Sequence, residues 1–210
     1  QVSVLFFYEE QQISTPISCG KSIGLDYKSD GLYTDSDGHF CDMPHYYRKS
    51  ARILAKAQRK LRHKIAGSRN YDKQQRRIAR IHRHIANQRK DYLHKESTAI
   101  AKRYDIVCVE DLNMRAMANR GFGNGKATLD NGYGMFLNML EYKLMDQGKC
   151  FIKVGKHFPS SQLCHRCGRI HPEMKDLRIR IMDCTCGCKV DRDYNAALNI
   201  KTEGLKMIAA

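Results

Sequence analysis

The chain has 210 residues, a net charge of +15 and 42% hydrophobic residues. That length and apolar content suit one domain, with room for a small appendage and a real core. No apolar run approaches the ~18 residues of a membrane span, and no signal peptide is expected before the fold.

In chain order, residues 1–9 (QVSVLFFYE) have the pattern of a strand. An unprotected edge strand at a true terminus invites aggregation, so residues 1–20 are expected to be the tail of a truncated N-terminal domain. Residues 21–27 and 31–34 predict two short strands joined at Asp30-Gly31. Asp37-Gly38 leads into a third at 39–43, and Asp-Gly between apolar runs makes this an antiparallel meander. From Tyr46 the period changes. Residues 46–66 predict a basic helix broken at Gly67-Ser68, and a longer helix follows over roughly 70–104. Ile78, Ile81, Ile85, Tyr92 and Ala99 give it one apolar stripe beneath a basic face.

The positive charge sits on these two helices. From Arg48 to Arg103 there are 19 Lys/Arg against the three acids Asp72, Asp91 and Glu96, which leaves the rest of the chain nearly neutral. Such a face implies a polyanionic partner, with nucleic acid leading. Arg59, Lys60, Arg62, Lys64, Arg76, Arg77 and Arg80 are the candidate phosphate contacts. His63, His82, His84 and His94 read as surface residues of the same helices.

Residues 105–110 predict a buried strand ending at Glu110. The glycine-rich segment 119–128 is not a phosphate loop: Gly121 stands one residue too near Gly125-Lys126, and Ala127 occupies the place of the Mg²⁺-binding hydroxyl. It reads as a mobile lid whose Arg120 and Lys126 can reach phosphate. A helix over 132–147, a strand over 150–155, a cysteine-rich insert to about 190 and a last helix over 192–208 complete the chain. The order predicts a mixed α/β sheet, with three antiparallel strands extended by two parallel ones.

Asp26 interrupts the apolar run Ile-Gly-Leu, and Glu110 follows Ile106-Val107-Cys108-Val109. A carboxylate so placed is costly to desolvate without a cation or a hydrogen-bond donor. Joined by an acid at the start of the last helix, Asp191 or Asp193, the pair could hold two Mg²⁺ or Mn²⁺ ions for phosphodiester hydrolysis. Asp191 and Asp193 lie about 200° apart on a helix, so only one can face the site, and Asp191 suits the helix N-cap. Asn195 and Asn199 read as packing or capping groups.

Five of the nine cysteines fall between Cys164 and Cys188. Cys164-x-x-Cys167 followed by a second cysteine group reads as a zinc ribbon, with four thiolates on one structural Zn²⁺. Cys184 and Cys186 are the preferred second pair and Cys188 the spare, with Cys184 and Cys188 remaining open.

The runs Ile-Gly-Leu-Asp26, Val-Cys-Val-Glu110-Asp-Leu-Asn and Asp-Arg-Asp193-Tyr-Asn-Ala-Ala-Leu-Asn-Ile resemble the three RuvC motifs of the TnpB (OrfB) proteins of insertion sequences, relatives of the type V CRISPR nucleases. Phe158-Pro-Ser-Ser-Gln-Leu-Cys164-His-Arg-Cys167-Gly is similar to the same family, although Asp183 stands where its third cysteine would be. The resemblance implies an RNase H-like (RuvC) five-stranded sheet over 21–158 and 189–210. It also implies a helical insertion at 46–104 and a zinc ribbon at 159–188. It implies RNA-guided cleavage of a DNA target, a guide RNA partner in the intact protein, and a prokaryotic, nucleoid-associated cytoplasmic location. Asp26, Glu110 and Asp193 would be the metal-binding catalytic acids, which resolves the choice in favour of Asp193. Two other readings remain: a nucleic-acid-binding module that does not cleave, and an inactive truncated remnant.

Overall fold

The computed structural model describes residues 20–117 and 125–209. The tail at 1–20 (all but its last residue), the strand expected over 1–9, and Arg120 in the glycine-rich segment lie outside the described residues, as does the side chain of Lys126.

The apolar run around Asp26 forms β1 (Ser22–Tyr27), which pairs on both sides. It is antiparallel to β2 (Tyr33–Asp35) and parallel to β4 (Ile106–Glu110). β3 (Phe40–Cys41) adds antiparallel to β2, and β5 (Cys150–Val154) adds parallel to β4. The resulting five-stranded sheet has the order β3-β2-β1-β4-β5, the mixed arrangement that the sequence predicts.

Strand alternation divides the core between two faces. Ile23, Leu25, Val107 and Val109 pack against Leu93, Ile100, Phe136 and Leu140. These last four come from α2 (Arg69–Arg103) and α5 (Tyr133–Met145). On the opposite face, Ile106, Cys108 and Val154 meet Ile200 of α6 (Arg192–Ala209). That helix lies unusually close to the sheet, because glycines stand where the two approach. A Cβ at Gly204 would come within 2.4 Å of the Cys108 sulfur.

α1 (Tyr46–Arg62) and α2 form the basic hairpin. It turns at Gly67, whose φ is +78°, and Ser68 Oγ caps α2 by accepting from the Tyr71 amide at 3.2 Å. The apolar stripe of α2 departs from the expected one. Ile85 is buried and Ile78, Ile81 and Tyr92 are half-buried, but Ala99 is exposed. A strict seven-residue spacing drifts about 20° per repeat on a straight 3.6-residue helix, so it has left the core face by Ala99. The buried line passes instead through Leu93, Ser97 and Ile100.

After β4 come α3 (Met114–Met117) and α4 (Gly125–Asn131). α4 starts inside the segment expected to be loop as far as 128. Tertiary bonds hold its end: Asp130 Oδ1 accepts from the Tyr47 amide at 3.2 Å, and Asn131 Nδ2 donates to the Ser29 carbonyl at 2.8 Å. Gly132, with φ +66°, separates α4 from α5. The cysteine-rich insert contains a 3₁₀ turn at Pro172–Lys175 and a hairpin of β6 (Ile181–Asp183) with β7 (Lys189–Asp191). That hairpin therefore extends three residues beyond 188, up to the first residue of α6. No helix among the described residues is long and apolar enough to cross a membrane.

Candidate functional site

Register brings the carboxylates together. Gly24 pairs with Cys108 and Leu25 with Val109, so Asp26 and Glu110 follow at the adjacent carboxyl ends of β1 and β4. Their period-two spacing from Gly24 and Cys108 points both acids towards the α6 side. α6 crosses β1 where Ala197 sits against Gly24. Asp193, one turn earlier on the same side of the helix, thereby arrives over the strand ends. All three acids line one cavity of about 930 Å³.

Asp191 also borders this cavity, but its Oδ1 is engaged by the amides of Asp193 at 2.9 Å and Tyr194 at 3.0 Å. It is the N-cap of α6. Asp193, rather than Asp191, is the acid that the family resemblance implies.

Burial, then the nearby Asp193 and Glu110 carboxylates, push the Asp26 carboxyl well above its ordinary range, with Arg192 opposing. Burial also raises Glu110. Arg180, from the cysteine-rich insert, reaches Asp193 with Nη1 3.7 Å from Oδ2. The carboxylates of Asp26, Glu110 and Asp193 are thus oxygen groups whose mutual repulsion is only partly offset by Arg192.

The sulfurs of Cys164, Cys167, Cys184 and Cys186 all lie within 4.8 Å of one another. Cys164 and Cys186 are 3.7 Å apart, and Cys167 and Cys184 are 3.6 Å apart. Zn–S bonds of ~2.3 Å place tetrahedral sulfurs ~3.8 Å apart, so this donor set fits one zinc ion. Cys188 is not in the group; its sulfur sits 3.8 Å from His165 Nδ1.

Asn195 and Asn199 join this cluster to the carboxylates. Asn195 Oδ1 accepts from the His165 amide at 3.0 Å and its Nδ2 donates to the Leu163 carbonyl at 2.7 Å. Asn199 Nδ2 donates to the carbonyls of Ser160 at 2.8 Å and Leu163 at 2.5 Å. Both are buried side chains that satisfy backbone groups of the loop beside the Leu163–Ile170 bridge. Their spacing of four on the helix that carries Asp193 was the available signal for a shared face.

Of the candidate phosphate contacts, Arg59, Lys60, Arg62, Arg76, Arg77 and Arg80 are exposed. Lys64 is half-buried at the hairpin turn, so it is the weakest member of that set. Arg180, which borders the carboxylates, had no distinguishing sequence signal, whereas Arg192 lies inside the Asp-Arg-Asp193 run.

Residues 6–121 match the OrfB_IS605 family, described as "Probable transposase". The chain belongs to this family. A second match, to the Cas12f1-like TNB domain, spans residues 133–200 and includes the four clustered cysteines and Asp193. Two curated relatives of this OrfB chain carry the name "Putative RNA-guided DNA endonuclease". One, from Streptomyces pristinaespiralis, is 36% identical over 93% of this chain and 48% of its own length. The other, InsQ of Escherichia coli K12, is 32% identical over 95% of this chain and 53% of its own. The OrfB chain thus spans about half the length of the curated relatives it matches. In fold it is similar to a chain of a Cas12f1–sgRNA–target DNA complex, with TM-score 0.60 at 19% identity, covering 85% of this chain and 49% of that one.

Proposed function

We propose that this chain is the catalytic part of a transposon-associated RNA-guided DNA endonuclease. Its sheet and α6 would form an RNase H-like nuclease domain over 21–158 and 189–210, with the zinc ribbon inserted at 159–188 and the basic hairpin at 46–104. The observation that carries the reading is the convergence of Asp26, Glu110 and Asp193 on one cavity. Asp26, Glu110 and Asp193 would hold two Mg²⁺ ions, or Mn²⁺ in their place. Two such ions, when bound, activate a water and stabilise the leaving 3′ oxygen of a phosphodiester. Lys28, Lys156 and Arg180 on the cavity wall offset phosphate charge as the strand enters. The four-cysteine cluster takes a structural zinc, since four thiolates leave no position for a reacting water. Asn195 and Asn199 then transmit the ribbon's rigidity to the helix that carries Asp193.

In the intact protein the basic hairpin binds guide RNA or target DNA through its phosphates, in a prokaryotic, nucleoid-associated cytoplasmic setting. The test is zinc content by mass spectrometry together with a Mg²⁺-dependent cleavage assay on the purified chain. The expected result is one zinc per chain and cleavage that Asp193→Ala abolishes. Zinc-replete, folded chain that binds DNA in Mg²⁺ without cutting it would support the binding-module reading instead.

A further inference from the structure

Phe40 is an exception to the economy of this fold. It occupies a two-residue edge strand and is 51% exposed, so its ring contributes little to the core. Its position is nonetheless fixed by register. Asp26 pairs with Thr34, and Thr34 pairs with Phe40. Residues directly opposite one another across a sheet project to the same side, so Phe40 shares a face with Asp26 two strands away. At a strand spacing of 4.7–4.9 Å that is about 10 Å. The ring lines the same cavity as the carboxylates. Lys28 stands against it, with Nζ 4.9 Å from the ring centroid.

We propose that Phe40, backed by Lys28, is a base-stacking platform that holds an unpaired nucleotide beside the bond to be cut. This rests on the nuclease reading of the cavity. An aromatic face accepts any base, because every base has a π-surface, but only a base that has left its own stack can occupy it. The ammonium adds cation–π support to the ring and lies close enough to pair with a neighbouring phosphate. A distance of about 10 Å from Asp26 corresponds to about one to three nucleotides, given a rise of 3.4 Å per stacked nucleotide and more when the strand is extended. The platform would therefore set which phosphate reaches the acids.

The test is binding of a fluorescein-labelled single-stranded DNA oligonucleotide to the full 210-residue chain, with Ca²⁺ replacing Mg²⁺ so that the strand stays uncut. Wild type is compared with Phe40→Leu, which keeps apolar bulk but has no ring, and with Phe40→Trp, which keeps an aromatic face. Phe40→Leu is expected to weaken binding about 5- to 150-fold, the range for stacking of one base, and Phe40→Trp to stay near wild type. A single abasic site moved along the oligonucleotide should cost wild type affinity at one position, within about three nucleotides of the bond cut in Mg²⁺, and cost Phe40→Leu nothing there. Equal affinity of Phe40→Leu and wild type, or an abasic penalty that is the same in both, overturns the platform while leaving the nuclease reading intact. A wild-type chain that binds no DNA in Ca²⁺ overturns the nuclease reading, and the platform with it.

Discussion

Gly24 lies directly against the backbone of Ala197: a Cβ built on it would stand 2.2 Å from the Ala197 carbonyl oxygen and 2.7 Å from the Lys201 amide nitrogen. Backbone atoms cannot rotate aside as a side-chain tip can. This contact sets the distance between β1 and α6, and hence between Asp26 and Asp193.

Gly24→Ala is expected to push α6 off the sheet. Overpacking of this kind costs about 1–3 kcal/mol, and here the upper end applies because both neighbours are main chain. Cleavage should fall further than stability, since displacing a metal ligand by ~1 Å loses about a hundred-fold in rate. Thermal melts and a cleavage assay below the melting range check this. Unchanged activity in a folded Gly24→Ala chain would mean that the helix position does not govern the carboxylate geometry.

Asp26 makes the ion-free chain less stable at neutral pH. Its folded pKa is raised well above the usual ~3.9, chiefly by burial and by Asp193 and Glu110. The folded state therefore favours the protonated form. The stabilisation is complete below the unfolded pKa and is lost as pH rises through the folded one. Asp26→Asn should melt higher than wild type at pH 7 in EDTA, and the gap should close towards pH 4. Mg²⁺ should raise the melting temperature of wild type more than that of Asp26→Asn, because binding to the folded state alone stabilises it. A variant that melts no higher than wild type at pH 7 in EDTA would show that the carboxyl carries no such penalty.

For the ribbon, Cys188→Ser should leave zinc content near one per chain, whereas Cys184→Ser and Cys186→Ser should each release it. The expectation follows from the 3.6 and 3.7 Å sulfur spacings within the cluster and from Cys188 facing His165 instead. Zinc measured by mass spectrometry on native protein decides the matter. Release of zinc from Cys188→Ser, with retention in Cys184→Ser, would reverse the assignment.

Most of this organisation was legible in the sequence because it rests on local periodicity. Alternation around Asp26 and Glu110, the Asp-Gly turns and the Cys-x-x-Cys spacing pointed to the strands, to two of the carboxylates and to the cysteine cluster. What escaped was set by tertiary contact. α4 begins at Gly125 within a stretch whose glycines suggested a loop, and Asp130 and Asn131 anchor its end to α1 and to the turn after β1. The tether from Asn195 and Asn199 to the ribbon needed the packed positions of two distant segments. Neither spacing nor composition could choose between Asp191 and Asp193; the cap hydrogen bonds engage Asp191.

The basic hairpin offers the clearest separation of binding from chemistry. Arg59, Lys60 and Arg62 near the end of α1 and Arg76 near the start of α2 are exposed beside the hairpin turn. Each phosphate contact releases condensed counterions, so affinity falls linearly on a log–log salt plot with a slope of about 0.7–0.9 per contact. Replacing these four residues with glutamine should weaken binding of nucleic acid and reduce the slope by up to about 3–4 units. Lys64→Gln, at a half-buried position, should add little to that change. Asp193→Ala should leave the slope nearly unchanged while removing cleavage, because it takes away a metal ligand and no phosphate contact. The two variants are compared by fluorescence anisotropy across a salt series, with cleavage followed in parallel. An unchanged slope in the fourfold variant would mean that this face of the hairpin is turned to something other than nucleic acid.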